Sequence, residues 1–250
     1  MTELALTDVV VRYRHRTAVG GVSGTLRPGV TLLLGPNGAG KSSLIRVLAG
    51  MQSPTSGSIR LTDNQKKELS PREGGRWQEV VGHLPQEPEF AGGISVYDTV
   101  ALAAWLKNVD RSRLDAAVQS WLERVGLSDR RKDRVRTLSG GMRRRLGLAT
   151  AAVHEPALLL LDEPTAGLDP EQRLVILRLI AGLAAQRVVL MPSHVLDDAR
   201  RIGDRIMLMH DGKLDFHGTA AELTHSAEGN LDDLERAYLE HVGSAGAPRS

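Results

Sequence analysis

Apolar residues gather along this chain in short unbroken runs separated by longer amphipathic stretches. The runs "VTLLL" (30–34), "ALLLL" (157–161), "VVLM" (188–191) and "IMLM" (206–209) lack the in/out alternation of a sheet wetted on one face. They predict central strands of a parallel sheet covered on both faces. Helical spacing appears in "SLIRVLAG" (43–50), closed by Gly50, and in "EQRLVILRLIAGLAAQ" (171–186), which opens just after Pro170. Between Ile94 and Ala152 strands vanish, and "SVYDTVALAAWLKN", "RSRLDAAVQSWLERVG" and "GMRRRLGLATAAV" all read as helices. That predicts a helical lobe inserted into the sheet. The first thirty residues, with "ALTDVVVRY" and "GTLRPG", read as antiparallel strands, Thr62 to Glu79 as polar connecting chain, and the tail "HVGSAGAPRS" as a fraying end. The whole is expected to be one α/β domain over residues 1–250, with the helical part at about 91–152 and a C-terminal tail at about 225–250.

Composition narrows the function classes. The chain has 250 residues and no cysteine, which excludes disulfides and thiolate metal sites and agrees with a reducing, cytosolic setting. No apolar run reaches the roughly 20 residues of a membrane span, and "MTELALTDVV" lacks the charged and apolar regions of a secretory leader. Net charge is only +2, and aromatic residues make up 3% of the chain, leaving few platforms for stacking bases. No nucleic-acid partner is expected. No His, Asp or Glu cluster has the spacing of a protein-only metal site.

Three glycines in six positions, within Gly35-Pro36-Asn37-Gly38-Ala39-Gly40-Lys41-Ser42, answer a need for bare backbone that ordinary side chains would obstruct. The run fits G-x-x-x-x-G-K-[ST] and lies between a predicted strand and a predicted helix, as a phosphate-binding loop requires. Backbone N–H groups curl round the phosphates and the helix adds its positive end. Lys41 is expected to reach the β- and γ-phosphates, and Ser42 to ligate Mg²⁺. A second acidic element follows the strand "ALLLL": Asp162 is expected to hold Mg²⁺, and Glu163 to accept a proton from attacking water. His194, just past "VVLM", is placed to orient water or Glu163. The arginine run 143–145 points three ways round a helix and is expected to form a solvated face or to meet an acidic partner.

The segment "TLSGGMRRRLGLA" makes the chain resemble the ATP-binding subunits of ABC transporters, whose LSGGQ signature aligns with Leu138-Ser139-Gly140-Gly141, Met142 standing at the fifth position. The other family elements follow in order: Tyr13 for stacking on adenine, the phosphate loop with Ser43 behind it, Gln86 in "GHLPQEP", Asp162-Glu163, Asp169 in "AGLDP", and the switch His194. The resemblance spans about Leu4 to Leu223. It implies a P-loop NTPase (RecA-like) core with an antiparallel N-terminal subdomain and an inserted helical signature subdomain. It also implies ATP and Mg²⁺ as ligands, with Tyr13, Gly35 to Ser43 and Ser139 to Gly141 on the nucleotide. Ser42, Gln86 and Asp162 would hold the metal, and Glu163, His194, Gln86 and Asp169 would serve the chemistry.

In that family two ATPase subunits, identical or different, pack head to tail, so that the signature of one completes the phosphate site of the other. Gln86 would couple the nucleotide to an integral membrane permease, with the chain peripheral on the cytoplasmic face of the cell membrane. Two functions follow. One is an ATPase subunit that powers a separate permease, exporter-type by its single domain and its 87–108 stretch; the other is a soluble ATPase of the same family acting on ribosomes, DNA or cluster assembly.

Overall fold

The computed structural model describes residues 1–63, 66–225 and 231–244. Strands β1 (Glu3–Tyr13), β2 (Arg16–Leu26), β4 (Ser56–Thr62) and β5 (Glu68–Leu69) form an antiparallel sheet in the order β2-β1-β4-β5. A second, six-stranded sheet has the order β10-β9-β3-β8-β7-β6. Its members are β3 (Gly29–Leu34), β6 (Val81–Leu84), β7 (Leu158–Leu161), β8 (Val188–Pro192), β9 (Arg205–His210) and β10 (Lys213–Gly218). All its pairings are parallel except β9 with β10.

The apolar runs are explained by what covers them. Along β3, Val30, Leu32 and Leu34 pack into one core and Leu33 into the other; along β7, Leu159 and Leu161 part in the same way from Leu158 and Leu160. A strand that buries both faces leaves little room for polar side chains, and Thr31 of β3 is itself buried. One core belongs with the N-terminal sheet and α1 (Lys41–Leu48), while the other extends into the helices inserted between β6 and β7.

Those helices are α3 (Val96–Leu106), α4 (Arg111–Arg124) and α5 (Gly140–Ala152), preceded along the chain by α2 (Gly75–Val80). Each of the three starts where a side-chain oxygen accepts an orphan N–H: Ser95 from Asp98, Asp110 from Ser112, Ser139 from Met142. Val100, Ala104, Val118, Trp121, Leu122 and Leu146 fill the space between them. Polar ties join this lobe to the sheet at the start of β6. Lys107 Nζ donates to the carbonyls of Gln78 (2.6 Å) and Val81 (3.0 Å), and His154 Nε2, just past α5, lies 3.2 Å from the Val81 carbonyl.

Three expectations need correction. The stretch from Thr62 to Glu79 contains β5 and most of α2, whose Trp77 is fully buried and donates to the Leu48 carbonyl at 2.8 Å. The C-terminal stretch is no simple tail: after α6 (Pro170–Ala184), α7 (Leu196–Ile202) and α8 (Ala220–Thr224) comes α9 (Leu231–Ser244), a helix with Leu234 fully buried. Part of the proposed fraying end, 245–250, lies outside the described residues. Of the arginines of α5, Arg143 is exposed as expected, but Arg144 and Arg145 are half-buried and do not belong to a solvated face. Arg144 donates to the carbonyls of Gln86 and Ala166, Arg145 to those of Val125 and Gly126, and Arg143 to that of Arg136.

Candidate functional site

The chain leaves β3 at Gly35 and re-enters regular structure at Lys41, and its path between them is one that only glycine permits at two points. Gly35 (φ +146°) and Gly40 (φ +101°) each sit where a Cβ would come within 2.1 Å of a backbone oxygen, that of Met209 and that of Ala18. The loop therefore lies directly on β9 and β2. Lys41 folds back under it, Nζ donating to the carbonyls of Gly35 (2.5 Å) and Pro36 (2.9 Å). Burial pulls the ammonium's pKa below its usual value, against the opposing pull of Glu163 and Asp162.

In front of this loop opens a cavity of about 600 Å³. It brings together Tyr13, the run Asn37, Gly38, Ala39, Gly40, Lys41, Ser42 and Ser43, and from other strands Gln86, Glu163 and His194. Gly35 and Pro36 lie behind the loop as the acceptors for Lys41. Tyr13, at the end of β1, is 41% exposed and shares hydrogen bonds with Gln52 (2.7 and 2.9 Å). The Ser43 hydroxyl beside it draws the phenol below its ordinary pKa.

Asp162 and Glu163 follow the last residue of β7. Burial, then the neighbouring Glu163 charge, pushes the Asp162 carboxyl above the ordinary range, partly offset by Lys41 and Arg46. Glu163 has a left-handed backbone, φ +45°, unusual for a residue with a side chain. Its Oε2 accepts from Gln86 Nε2 (3.3 Å) and lies 3.4 Å from His194 Nδ1. Three residues from the ends of β6, β7 and β8 thus meet at the mouth of the loop.

Ser139, Gly140, Gly141 and Asp169 do not join them. Ser139 and Gly141 line a separate cavity of about 350 Å³ with Gln172 and Glu171. Asp169 caps α6, its Oδ1 accepting from Gln172 N at 2.9 Å. A Cβ on Gly141 would meet the Gln172 side-chain oxygen at 2.1 Å, so this glycine makes room for a side chain of α6.

Sequence reasoning missed several participants. Arg16 lines the main cavity and donates from Nη2 to the Gly38 carbonyl at 3.2 Å; its position beside Tyr13 in "VRYRHR" was the only signal. Arg144, holding the carbonyl of Gln86, was hidden in the arginine run. The carbonyl contacts depend on which way each side chain leaves α5, which composition does not encode.

A family model described as ABC transporter matches residues 19–166. The uncharacterized ABC transporter ATP-binding protein YxlF of Bacillus subtilis is 34% identical over 232 residues, 92% of this chain and 76% of the relative. Nod factor export ATP-binding protein I of Paraburkholderia xenovorans is 35% identical over 219 residues, 87% of this chain and 71% of the relative. A solved structure titled as the ATP binding subunit of an ABC transporter superposes with a TM-score of 0.82 at 23% identity, covering 95% of this chain and 98% of the other, a likeness of fold.

Proposed function

This chain belongs to the ABC transporter family, and on that premise we propose that it is the ATP-binding and ATP-hydrolysing subunit of a transporter, driving a separate membrane permease from the cytoplasmic face. Among the described residues no helix is long and apolar enough to cross a membrane. The relative named for Nod factor export supports outward transport.

One observation carries the hydrolytic half of this reading: a carboxylate, Glu163, held between Gln86 and His194 at the open side of a glycine loop. The loop suits a triphosphate. Its glycines let N–H groups face the cavity, α1 adds its positive end, and the Lys41 ammonium can exchange carbonyl partners for phosphate oxygens. The donor set suits Mg²⁺. Ser42, Gln86 and Asp162 offer hard oxygens, and a carboxyl raised by burial is relieved by a cation. When bound, the metal neutralises charge on the β- and γ-phosphate oxygens. Asp162 and Ser42 orient it, Glu163 takes the proton of the attacking water, and His194 fixes that carboxylate and the water beside the γ-phosphate.

Ser139 to Gly141 begin α5 outside this cavity and offer backbone N–H groups to a second anion. We assign them to the phosphates bound by a second ATPase subunit packed head to tail, with Asp169 at the seam.

Replacing Glu163 by Gln keeps the side chain's size and removes its basicity. Turnover should fall by about 10²–10⁴-fold, the usual worth of a positioned base, while ATP still binds. Phosphate release and equilibrium binding, measured side by side, check this. A variant with wild-type turnover refutes the assignment.

A further inference from the structure

Asp198, in the first turn of α7, is fully buried, and three separate segments converge on it. Its Oδ1 accepts from Nε (3.0 Å) and Nη2 (2.7 Å) of Arg173, in the first turn of α6. Its Oδ2 accepts from the hydroxyls of Thr165 (3.1 Å) and Ser193 (2.9 Å), both buried. Thr165 stands two residues beyond Glu163, and Ser193 immediately precedes His194. A buried carboxylate with both oxygens occupied by charged and hydroxyl donors is a stiff joint, because each bond is strengthened by the others and the carboxylate itself is shut off from water. Neighbouring Asp197 is partly exposed: it pairs with Arg200 and Arg201 at the surface, and its Oδ2 lies 4.0 Å from Nη2 of the same Arg173.

The Ser193 hydroxyl shows what the joint does. It has one proton, and it gives that proton to Asp198. Its lone pairs are then turned towards the Val195 N–H, which donates to it at 3.0 Å. The hydroxyl so closes the chain from both sides of His194. The His194 side chain itself is 61% exposed, which leaves its ring free to swing unless the backbone beneath it is held. We propose that Asp198 is a positioning residue for hydrolysis, holding His194 against Glu163 through Ser193 on one side and Thr165 on the other. The inference rests on the ATPase reading above, and it goes beyond it by giving the switch histidine a buried carboxylate anchor.

The test begins on the nucleotide-free protein, where no turnover is needed. Asp198→Asn removes the charge and replaces one acceptor oxygen by a donor. Hydrogen exchange at the Val195 amide should accelerate by about fivefold or more, the effect of losing one ordinary hydrogen bond, with exchange in the loop at 35–42 unchanged. In turnover, kcat should fall by about 10²-fold, the effect of displacing a catalytic group by about an ångström, while the Kd for ATP stays within about twofold. Ser193→Ala should act in the same direction, and Ser193→Thr, which restores the hydroxyl, should recover both readouts. In a His194→Ala background, Asp198→Asn should cost much less in kcat than it does in the wild type, because most of its effect passes through the ring.

Unchanged exchange at Val195 overturns the proposal, as does a kcat loss that multiplies in full in the His194→Ala background. If Asp198→Asn fails to fold, Ser193→Ala and Thr165→Val carry the same comparison. A wild-type chain without ATPase activity would refute the function reading instead, and exchange at Val195 would still decide the role of Asp198.

Discussion

Acid should loosen the join between the helical lobe and the sheet, and His154 sets how much. This residue follows α5, the helix that begins at Ser139, and its ring lies against the Val81 carbonyl, where β6 starts towards Gln86. Nε2 carries the proton that reaches Val81, while Nδ1 is buried without a partner. Burial, reinforced by the Lys107 charge, lowers the imidazole's pKa from 6.5 to about 4, against the smaller opposing effects of the Val81 hydrogen bond and Glu155. The folded pKa is depressed, so at a pH between 4 and 6.5 the unfolded chain binds a proton that the folded chain does not. Stability associated with the neutral ring is therefore complete above pH 6.5 and drains away as the pH falls to 4.

Each pH unit in that window is worth about 1.4 kcal/mol, so about 2 kcal/mol should be lost by pH 5 and at most about 3 kcal/mol in all. Urea unfolding at a series of pH values measures this, with His154→Gln as the reference. Glutamine can still donate to Val81 but cannot titrate. His83 and His217, whose pKa values are also lowered by burial, contribute equally to both proteins and cancel in the difference. The wild type and the variant should converge by about 1.4 kcal/mol per pH unit below pH 6.5. Parallel curves across the window would show that His154 is not buried in its neutral form, and the account of this joint would fail.

Two inactive chains should rescue each other. Lys41→Ala removes the ammonium tucked beneath the phosphate loop and should abolish tight ATP binding in calorimetry; a chain with Ser139→Ala and Gly141→Asp should bind ATP but not turn it over, since it sets a carboxylate where the proposed partner's phosphates would lie. Mixing the two should restore part of the ATPase activity, and its absence in proven heterodimers counts against a shared site.

The parallel core was legible because runs such as 157–161 have no polar position to hide, and the phosphate loop because its glycines must lie on Met209 and Ala18. Strand β6, "VGHL", carried no such signal; it is short, and its glycine is there because the Ala151 carbonyl would meet a Cβ at 2.0 Å. Strand β10, at the sheet's edge, mixes exposed and half-buried positions and buries only Gly218, and so did not resemble its neighbours. Trp77 sat in a polar stretch, where one aromatic residue does not announce a helix. The meeting of Gln86, Glu163 and His194 was anticipated by resemblance, since three strand ends separated by long insertions show no local pattern. The Asp198 joint was invisible for the same reason: Thr165, Arg173 and Ser193 belong to different segments, and each reads as an ordinary surface residue on its own.

Glu163 occupies a left-handed position that a glycine or asparagine would hold with less strain. On the role proposed above for Glu163, folding and catalysis make opposite demands on this one site. A library of variants ranked only by resistance to heat would enrich replacements here, and the winners would be well-folded proteins that hold nucleotide without consuming it. Engineering this chain for durability would have to exempt position 163 from the search, or score every candidate by turnover before melting temperature.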